Sequence, residues 1–322
     1  MNSFKKFLLP AIVAGMALSS CSEQESNLSS DQPSAIRSCG TMEALQLQMI
    51  ADPTLSQRMA EIEKFTEEAV AGQRLLPDGT IQIPVVVNVL YKTTAQNISL
   101  AQIQSQIDVL NADFAATNSD YNNTPSLYQG VRSGSTGITF VLETVVRKKT
   151  NKTSWSTNNA MKSSTQGGIS ATSPTTKLNM WVCNMGGGIL GYAQFPGGST
   201  STDGVVIDDN AFGSVGTVTY PYNKGRTATH EVGHWLNLRH IWGDATCGND
   251  QVTDTPLHNG ANYGCPTFPK YATSCSGSPA MMTMNYMDYT DDACMYMFTA
   301  GQKSRMLAVF ASGGPRNSFA QP

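Results

Sequence analysis

The sequence predicts an α+β fold, with an upper α/β layer at about residues 74–240 and a lower, irregular part at about residues 241–322 that ends in a helix. From Ile81 onward the apolar patterns follow the order strand, helix, strand, strand, which favours an α/β layer over an all-β sandwich. After residue 240 the chain is rich in Asp, Gly, Thr and Met and has few periodic segments. With 322 residues, of which 40% are hydrophobic, the chain is long enough to bury a sizeable core.

The first 21 residues have the pattern of an export signal. Two lysines precede an apolar stretch, residues 7–18, that is too short to span a bilayer as a mature helix, so we expect no transmembrane span. The stretch ends in Leu18-Ser19-Ser20-Cys21, which resembles a bacterial lipobox and predicts a lipid anchor at Cys21. The acidic SEQE that follows resembles signals that send some lipoproteins to the outer face of the cell. An ordinary signal peptide cut nearby is the alternative.

Residues 22–73 form a separate N-terminal segment. Residues 22–36 are small and polar, as in a flexible tether. Between Asp52 and Ala71, apolar residues recur at steps of three and four amid glutamates, which predicts an amphipathic helix. These apolar residues are Leu55, Met59, Ile62, Phe65 and Ala69.

The upper layer begins after a turn at Pro77-Asp78-Gly79. The short, β-branched stretch Ile81 to Tyr91 predicts a buried strand. Ser99 is a suitable N-cap for a helix with one apolar face, formed by Ile103, Ile107, Leu110 and Phe114. Two further strands are expected at Gly137–Val146 and Lys177–Cys183, and a last helix at Ala300–Ala311.

The net charge argues against a nucleic-acid-binding protein, and the cysteine content predicts disulfides. The formal net charge is −3 and no Lys/Arg stripe occurs, so we expect no nucleic-acid partner. Six cysteines remain once Cys21 carries lipid, and in an exported protein we expect disulfides. Six cysteines allow 15 pairings, among which cysteine counting cannot choose. The sequence gives no indication of oligomeric state.

Three of the four histidines lie within eleven residues, His230 to His240. On a helix, His230 and His234 share one face and can bind a single cation, whereas Glu231 is offset by about 100° and reaches the space beside the ion. His240 can join them if the helix ends abruptly at Asn237, because Asn tolerates the left-handed conformation. Three imidazoles suit zinc and leave the fourth position for water, as in a catalytic site. A chance cluster of histidines is the alternative.

At these residues the sequence resembles the metzincin metallopeptidases, and among them the pappalysins with their ulilysin-like bacterial members. The signature HExxHxxGxxH is matched, except that Asn237 replaces the usual Gly. Asn285-Tyr286-Met287-Asp288-Tyr289 resembles the Met-turn beneath the metal, with Met287 as its methionine. The resemblance covers roughly residues 81–310. It implies a metzincin-type zincin, with a twisted mixed sheet plus backing and active-site helices in the upper subdomain.

The resemblance also implies roles in peptide-bond hydrolysis. Zinc lowers the pKa of its bound water to about 7, so Glu231 can take the proton and pass it to the leaving amine. The hydroxyl of Tyr289 would stabilise the oxyanion. Leu190, Gly191 and Tyr192, followed by Ala193, would form the edge strand that pairs with extended substrate. An ordinary Gly-rich loop is the alternative for this stretch.

Aspartates of the lower part suggest two further sites. Asp291 and Asp292 follow the Met-turn, where the family shapes the pocket for the residue after the scissile bond, and an acidic pocket would favour Arg or Lys there. Solvated loop aspartates are the alternative. The loop GDATCGNDQVTDTP is rich in ligand oxygens, and similar enzymes bind calcium in this region. Its candidate residues are Asp244, Asp250, Asp254 and Thr255.

The family pattern assigns four cysteines to two interleaved disulfides, Cys247–Cys275 and Cys265–Cys294. In Arg37-Ser38-Cys39-Gly40, Cys39 resembles the cysteine switch of metzincin proenzymes, whose thiolate occupies the open zinc position and keeps the enzyme latent. A disulfide between Cys39 and Cys183 is the alternative. Activation would need a cut before Ile81, and the bond between Gln73 and Arg74 is a natural site.

These expectations combine into one main hypothesis. A signal peptide (1–21) precedes a tether and inhibitory propeptide (22–73) and a catalytic domain (74–322). The protein would be a latent, secreted or surface-anchored zinc endopeptidase that acts on proteins or peptides. The competing hypothesis is a surface lipoprotein with a metzincin-like fold and a structural zinc, which binds a partner or glycan.

Overall fold

The computed structural model describes residues 36–72 and 80–320. The export signal, Cys21, most of the tether and the bond between Gln73 and Arg74 lie outside the described residues. Among the described residues, no helix combines the length and the apolar character that a membrane crossing requires.

A five-stranded sheet forms the upper layer. Its strands are β1 (Ile81–Tyr91), β2 (Ile138–Lys149), β3 (Leu178–Cys183), β4 (Gly191–Ala193) and β5 (Val205–Asp208). The spatial order is β2-β1-β3-β5-β4. All neighbours are parallel except β4, which lies antiparallel to β5 at the edge. The sheet is therefore mixed, as expected, and the predicted α+β fold is confirmed.

Both faces of this sheet are apolar because other parts of the chain cover them. The main helices are α1 (Thr41–Ala51), α2 (Leu55–Ala71), α3 (Leu100–Phe114), α4 (Arg226–Trp235) and α5 (Ala300–Ala308). Helices α3 and α4 pack on one face of the sheet, where alternate β1 residues enter the main core. Leu90, Trp181 and Tyr192 enter a second cluster on the opposite face. A sheet covered on both faces needs nearly continuous apolar strands, and β1 has this composition.

The predicted elements agree with the observed ones apart from their ends, helix α1 and strand β5, which the sequence did not predict. Ser99 caps α3 by accepting the Gln102 N–H, as expected. Strand β2 extends to Lys149, and α5 ends at Ala308. Helix α1 was not expected, because its apolar residues do not lie on one face: Ala44 enters the second cluster, whereas Leu45 packs with Leu55 and Phe195.

The lower part, beyond residue 240, contains α5 and short 3₁₀ turns. Both expected disulfides are present, Cys247–Cys275 and Cys265–Cys294. In the chain-entropy model each closes a loop worth on the order of 3–4 kcal/mol, which helps to order a region with little secondary structure.

Candidate active site

Helix α4 carries the first two histidines and ends so that the third can return to them. Asn237 has φ of +71°, the left-handed conformation expected from the sequence. The N–H groups of Asn237 and Leu238 donate to the carbonyls of His234 and Gly233, which is the pattern of a Schellman motif. The chain therefore reverses within three residues, and His240 faces the helix it has just left.

The three imidazoles converge through their Nε2 atoms. His234 Nε2 lies 3.1 Å from the Nε2 atoms of both His230 and His240. Each Nδ1 faces an acceptor instead: His230 the Tyr286 carbonyl at 2.7 Å, His234 the Leu238 carbonyl at 2.8 Å.

The third histidine faces a carboxylate, with its Nδ1 atom, that of His240, 2.5 Å from Asp244 Oδ1. Because the protons are needed on the Nδ1 atoms, three Nε2 lone pairs point at one space. Tetrahedral zinc with bonds of about 2.0–2.1 Å separates its nitrogens by about 3.3 Å. The arrangement therefore fits zinc.

The Cys39 sulfur lies close to the three histidine nitrogens. This sulfur and the three histidine nitrogens all lie within 4.8 Å of one another, and within the described ranges no other group of three or more His, Cys, Asp or Glu ligand atoms converges in this way. Cys183 is a separate buried thiol whose sulfur contacts Met185. The alternative of a disulfide between Cys39 and Cys183 is therefore wrong.

Glu231 lies beside this centre and is held by the N-terminal segment (residues 36–72). Its Oε2 accepts a hydrogen bond from Thr41 Oγ1 at 2.9 Å and lies 3.5 Å from the Cys39 sulfur. Burial raises the pKa of Glu231 to about 7, although its hydrogen bonds work against this. A Cβ at Gly191 would lie 3.0 Å from Glu231 Cγ and 2.8 Å from the Val206 carbonyl oxygen, so the edge strand needs glycine here.

The Met-turn packs beneath α4. Met287 is fully buried, and a Cβ at Gly233 would lie 2.5 Å from its sulfur, so Gly233 is what allows the turn to approach. The Tyr289 ring lies 5.0 Å from that of His240, and its hydroxyl donates to the Cys39 carbonyl at 3.4 Å. Burial raises the pKa of Tyr289 above its usual range, so this hydroxyl keeps its proton.

The N-terminal segment pairs with strand β4. The Gly40 N–H donates to Gly191 O at 2.8 Å, and the Leu190 N–H donates to Ser38 O at 2.9 Å. The bridge between Cys39 and Gly191 is parallel. Tyr192 contributes no side chain to this contact, because its ring packs on the opposite face of the sheet and its hydroxyl reaches Asn159.

Arg37 lies against Asp292, where the sequence predicts an acidic pocket, and precedes Cys39 of the metal group, the cluster of Cys39, His230, His234 and His240. It forms a buried ion pair with Asp292, whose other oxygen accepts the backbone N–H groups of Lys224 and Arg226. Asp291 is only half-buried, although the charge of Arg37 acts on it. The sequence had indicated acidic residues here but not their partner.

The aspartates predicted to bind calcium separate into different contacts. Asp250 accepts from the Thr255 hydroxyl at 2.9 Å, so these two residues come together. Asp254 accepts from Thr299 Oγ1 at 2.6 Å and from the Gly301 N–H at 2.8 Å, at the start of α5. Asp244 contacts His240 and not this pair, which corrects its place in the expected set.

A mixed sheet above a helix with HExxH, a third histidine after a reversal and a methionine turn beneath it define a metzincin-type zinc peptidase. A family model described as "Pregnancy-associated plasma protein-A" matches residues 174–311. An extracellular metalloprotease of Pyricularia oryzae is 34% identical over 259 residues, which are 76% of this chain and 80% of that protein.

Two solved structures from Tannerella forsythia are also similar. Mature mirolysin in complex with a cleaved peptide is 48% identical, covers 76% of this chain and 97% of its own, and has a TM-score of 0.72. A promirolysin mutant is 44% identical, covers 88% of this chain and 97% of its own, and has a TM-score of 0.79. The chain belongs to the pappalysin family of metzincins and is a zinc metalloprotease.

Proposed function

We propose that the protein is made as a latent zinc endopeptidase and that it cleaves peptide bonds before Arg or Lys. The observation that carries this proposal is the joint position of Arg37 and Cys39. One lies in the acidic pocket at Asp292 and the other in the metal group. A segment that fills the binding pocket and the reactive position together leaves no room for substrate.

In the proposed site His230, His234 and His240 would hold zinc, and Cys39 would be a further ligand in the latent form. Bound zinc supplies Lewis acidity that polarises a peptide carbonyl and acidifies water. Glu231 Oε2, once released from Thr41, takes the proton of the attacking water and delivers it to the leaving amine. The hydroxyl of Tyr289 stabilises the charge that develops on the carbonyl oxygen.

The preference for a basic residue follows from Asp292. Its carboxylate is buried and accepts two backbone N–H groups, which take the place of solvent around it. Arg37 is the basic side chain that it binds in the latent form. A substrate Arg or Lys takes the place of Arg37 after release, and Asp291 adds to the negative potential.

Latency also follows from chain direction. Residues 38–40 run parallel to β4. A substrate with its basic residue after the scissile bond runs the other way, because Asp292 receives that residue whereas Arg37 precedes Cys39 in the chain. The N-terminal segment therefore presents no peptide bond in the productive direction.

The remaining assignments complete the proposal. Residues 1–21 serve as the export signal, 22–73 as tether and propeptide, and 74–322 as the catalytic domain, divided near residue 240. Cys21 carries a lipid anchor at the outer membrane or cell surface, and cleavage between Gln73 and Arg74 releases a secreted enzyme. A calcium ion stabilises the loop that contains Asp250, Asp254 and Thr255.

The test is intact-mass and N-terminal analysis of residues 22–322 incubated with zinc and calcium, for the wild type and Glu231→Ala side by side. We expect cleavage before Arg74 in the wild type alone, and cleavage of added peptides before Arg but not before Gln. If neither peptide is cut, even after trypsin has removed the N-terminal segment, the proposal is wrong and a structural zinc in a binding lipoprotein gains support.

A further inference from the structure

Phe195 lies just beyond the edge strand and beside a zinc ligand. Its ring centroid is 5.4 Å from that of His234, in an edge-to-face arrangement. The catalytic part holds this stretch of backbone in place, because the Gln194 N–H donates to Gly204 O and its side chain binds Ser199 and Thr202. These contacts lie within the catalytic part, so they remain available to position Phe195 when the N-terminal segment is removed.

The apolar cover of Phe195 comes from the N-terminal segment. Phe195 is 5% exposed and forms a cluster with Leu45 and Leu55, to which methionines of α1 and α2 add. These methionines are Met42, Met49 and Met59. The adjoining turn is also covered, since Arg58 Nε donates to Gly197 O at 2.9 Å. Removal of residues 36–72 therefore exposes an aromatic ring at the cleft.

The contacts of the N-terminal segment also give the order of sites along the cleft. Arg37 binds Asp292, Cys39 lies in the metal group, and Thr41 Oγ1 accepts the Ala193 N–H at 2.8 Å. Phe195 follows Ala193 in the same direction. The metal group thus lies between the acidic pocket and Phe195, so a substrate that places its basic residue at Asp292 carries its upstream residues towards Phe195.

We propose that Phe195 forms an apolar subsite for a substrate side chain upstream of the scissile bond, and that it is a specificity-determining residue. The inference rests on the proposed function, which fixes the direction of the substrate. Removal of the N-terminal segment leaves an exposed aromatic surface beside the catalytic centre. Covering this surface with an apolar substrate side chain lowers the free energy of the complex. Leu45 and Leu55 fill this subsite in the latent form, so a substrate Leu, Met or Phe is the matching occupant.

The test measures kcat/KM for wild type, Phe195→Ala and Phe195→Leu. Each is produced as the full chain and cut after Arg74 with trypsin, which is then inhibited. All peptides have Arg after the scissile bond, and each of the four upstream positions carries Leu or Ser in turn. We expect the wild type to favour Leu by about tenfold or more at one of these positions. Phe195→Ala should bring that ratio close to one, and Phe195→Leu should retain most of it.

The ratio compares two peptides on one enzyme, so a loss of folded or zinc-loaded protein cancels. An unchanged ratio in Phe195→Ala, or no preference for Leu at any of the four positions, overturns the inference while cleavage before Arg leaves the proposed function intact. Failure of the wild type to cleave any peptide removes both. A parallel set with Gln in place of Arg separates the two specificities.

Discussion

The hydroxyl of Thr41 connects the base of the active site to the edge strand, because it donates to Glu231 Oε2 at 2.9 Å and accepts the Ala193 N–H at 2.8 Å. The Thr41 hydroxyl therefore binds the carboxylate that would transfer the proton, Glu231, and a backbone N–H that would otherwise face substrate, that of Ala193. In the proposed latent form, Cys39 is thus only one of the contacts that keep the site closed.

Thr41→Val should make the uncut protein easier to activate, because valine keeps the volume and loses both hydrogen bonds. A hydrogen bond to a charged group contributes about 1.5–3 kcal/mol, so we expect about tenfold or more faster appearance of activity. The measurement is the lag time of the full chain on a fluorogenic peptide. Thr41→Ser keeps the hydroxyl and should have the lag time of the wild type. Equal lag times for Thr41→Val and Thr41→Ser would show that the hydrogen bonds of this hydroxyl do not slow activation.

Asp244→Ala should weaken zinc binding by about 10–100-fold, the usual effect of losing the acceptor that orients a histidine ligand. The contact in question is that of Asp244 Oδ1 with His240 Nδ1 at 2.5 Å. Competition with a chromogenic chelator measures the affinity directly. Asp244→Asn retains an acceptor oxygen, so its zinc affinity should lie between those of the wild type and Asp244→Ala. A zinc affinity of Asp244→Ala equal to that of the wild type would contradict the role of Asp244 in orienting His240.

Docking of α2 should weaken in acid through Glu63, which binds Arg305 through both oxygens at 2.6 and 2.8 Å. Burial alone would raise the pKa of Glu63, but the hydrogen bonds and charge of Arg305, with the charge of Arg239, hold it below its ordinary 4.5. A lowered pKa means that the contact stabilises docking above pH 4.5 and is lost as the pH falls through the docked value.

Hydrogen-exchange protection factors of residues 55–71, measured at pH 7 and at a pH below 4.5, report this loss. Glu63→Gln should raise the exchange at pH 7 and reduce the difference between the two pH values. Glu61→Gln is the matched control, since Glu61 is exposed and binds only Gln57 within α2 among the hydrogen bonds of the described residues. Identical pH responses in the two variants would refute the role of Glu63.

Substitution of two aspartates separately tests the proposed calcium-binding loop. Asp254→Ala should lose about 1–2 kcal/mol with or without calcium, because both its oxygens serve the start of α5. Asp250→Ala should lose the stabilisation that added calcium gives to the wild type. Thermal unfolding with calcium and with chelator measures both. A wild type that calcium does not stabilise would make the calcium prediction wrong.

The sequence could predict the three histidines of the metal group because their spacing is local. His230 and His234 are four residues apart on one helix, and Asn237 has the conformation that returns His240. Most strands and helices were predictable for the same reason, since each has its own apolar period. The loop contact of Asp244 was not predictable, because its direction depends on the turn after His240 and not on composition.

The latency contacts could not be derived from spacing. Thr41 is 190 residues from Glu231, and Arg37 is 255 residues from Asp292. No local sequence pattern connects residues so far apart. Of these contacts, the family resemblance suggested the role of Cys39 and no other. Helix α1 escaped prediction because its apolar residues serve two different clusters.

Residues 37–41 run opposite to the proposed direction of substrate, and this course is also a template for an inhibitor. A short synthetic peptide with the order Arg-Ser-Cys-Gly offers a guanidinium to Asp292 and a thiol to the metal, and it exposes no bond in the orientation that hydrolysis requires. Extension by an apolar residue that reaches Phe195 would add a third anchor. Such a compound would resist digestion by the enzyme it blocks, because it is bound backwards.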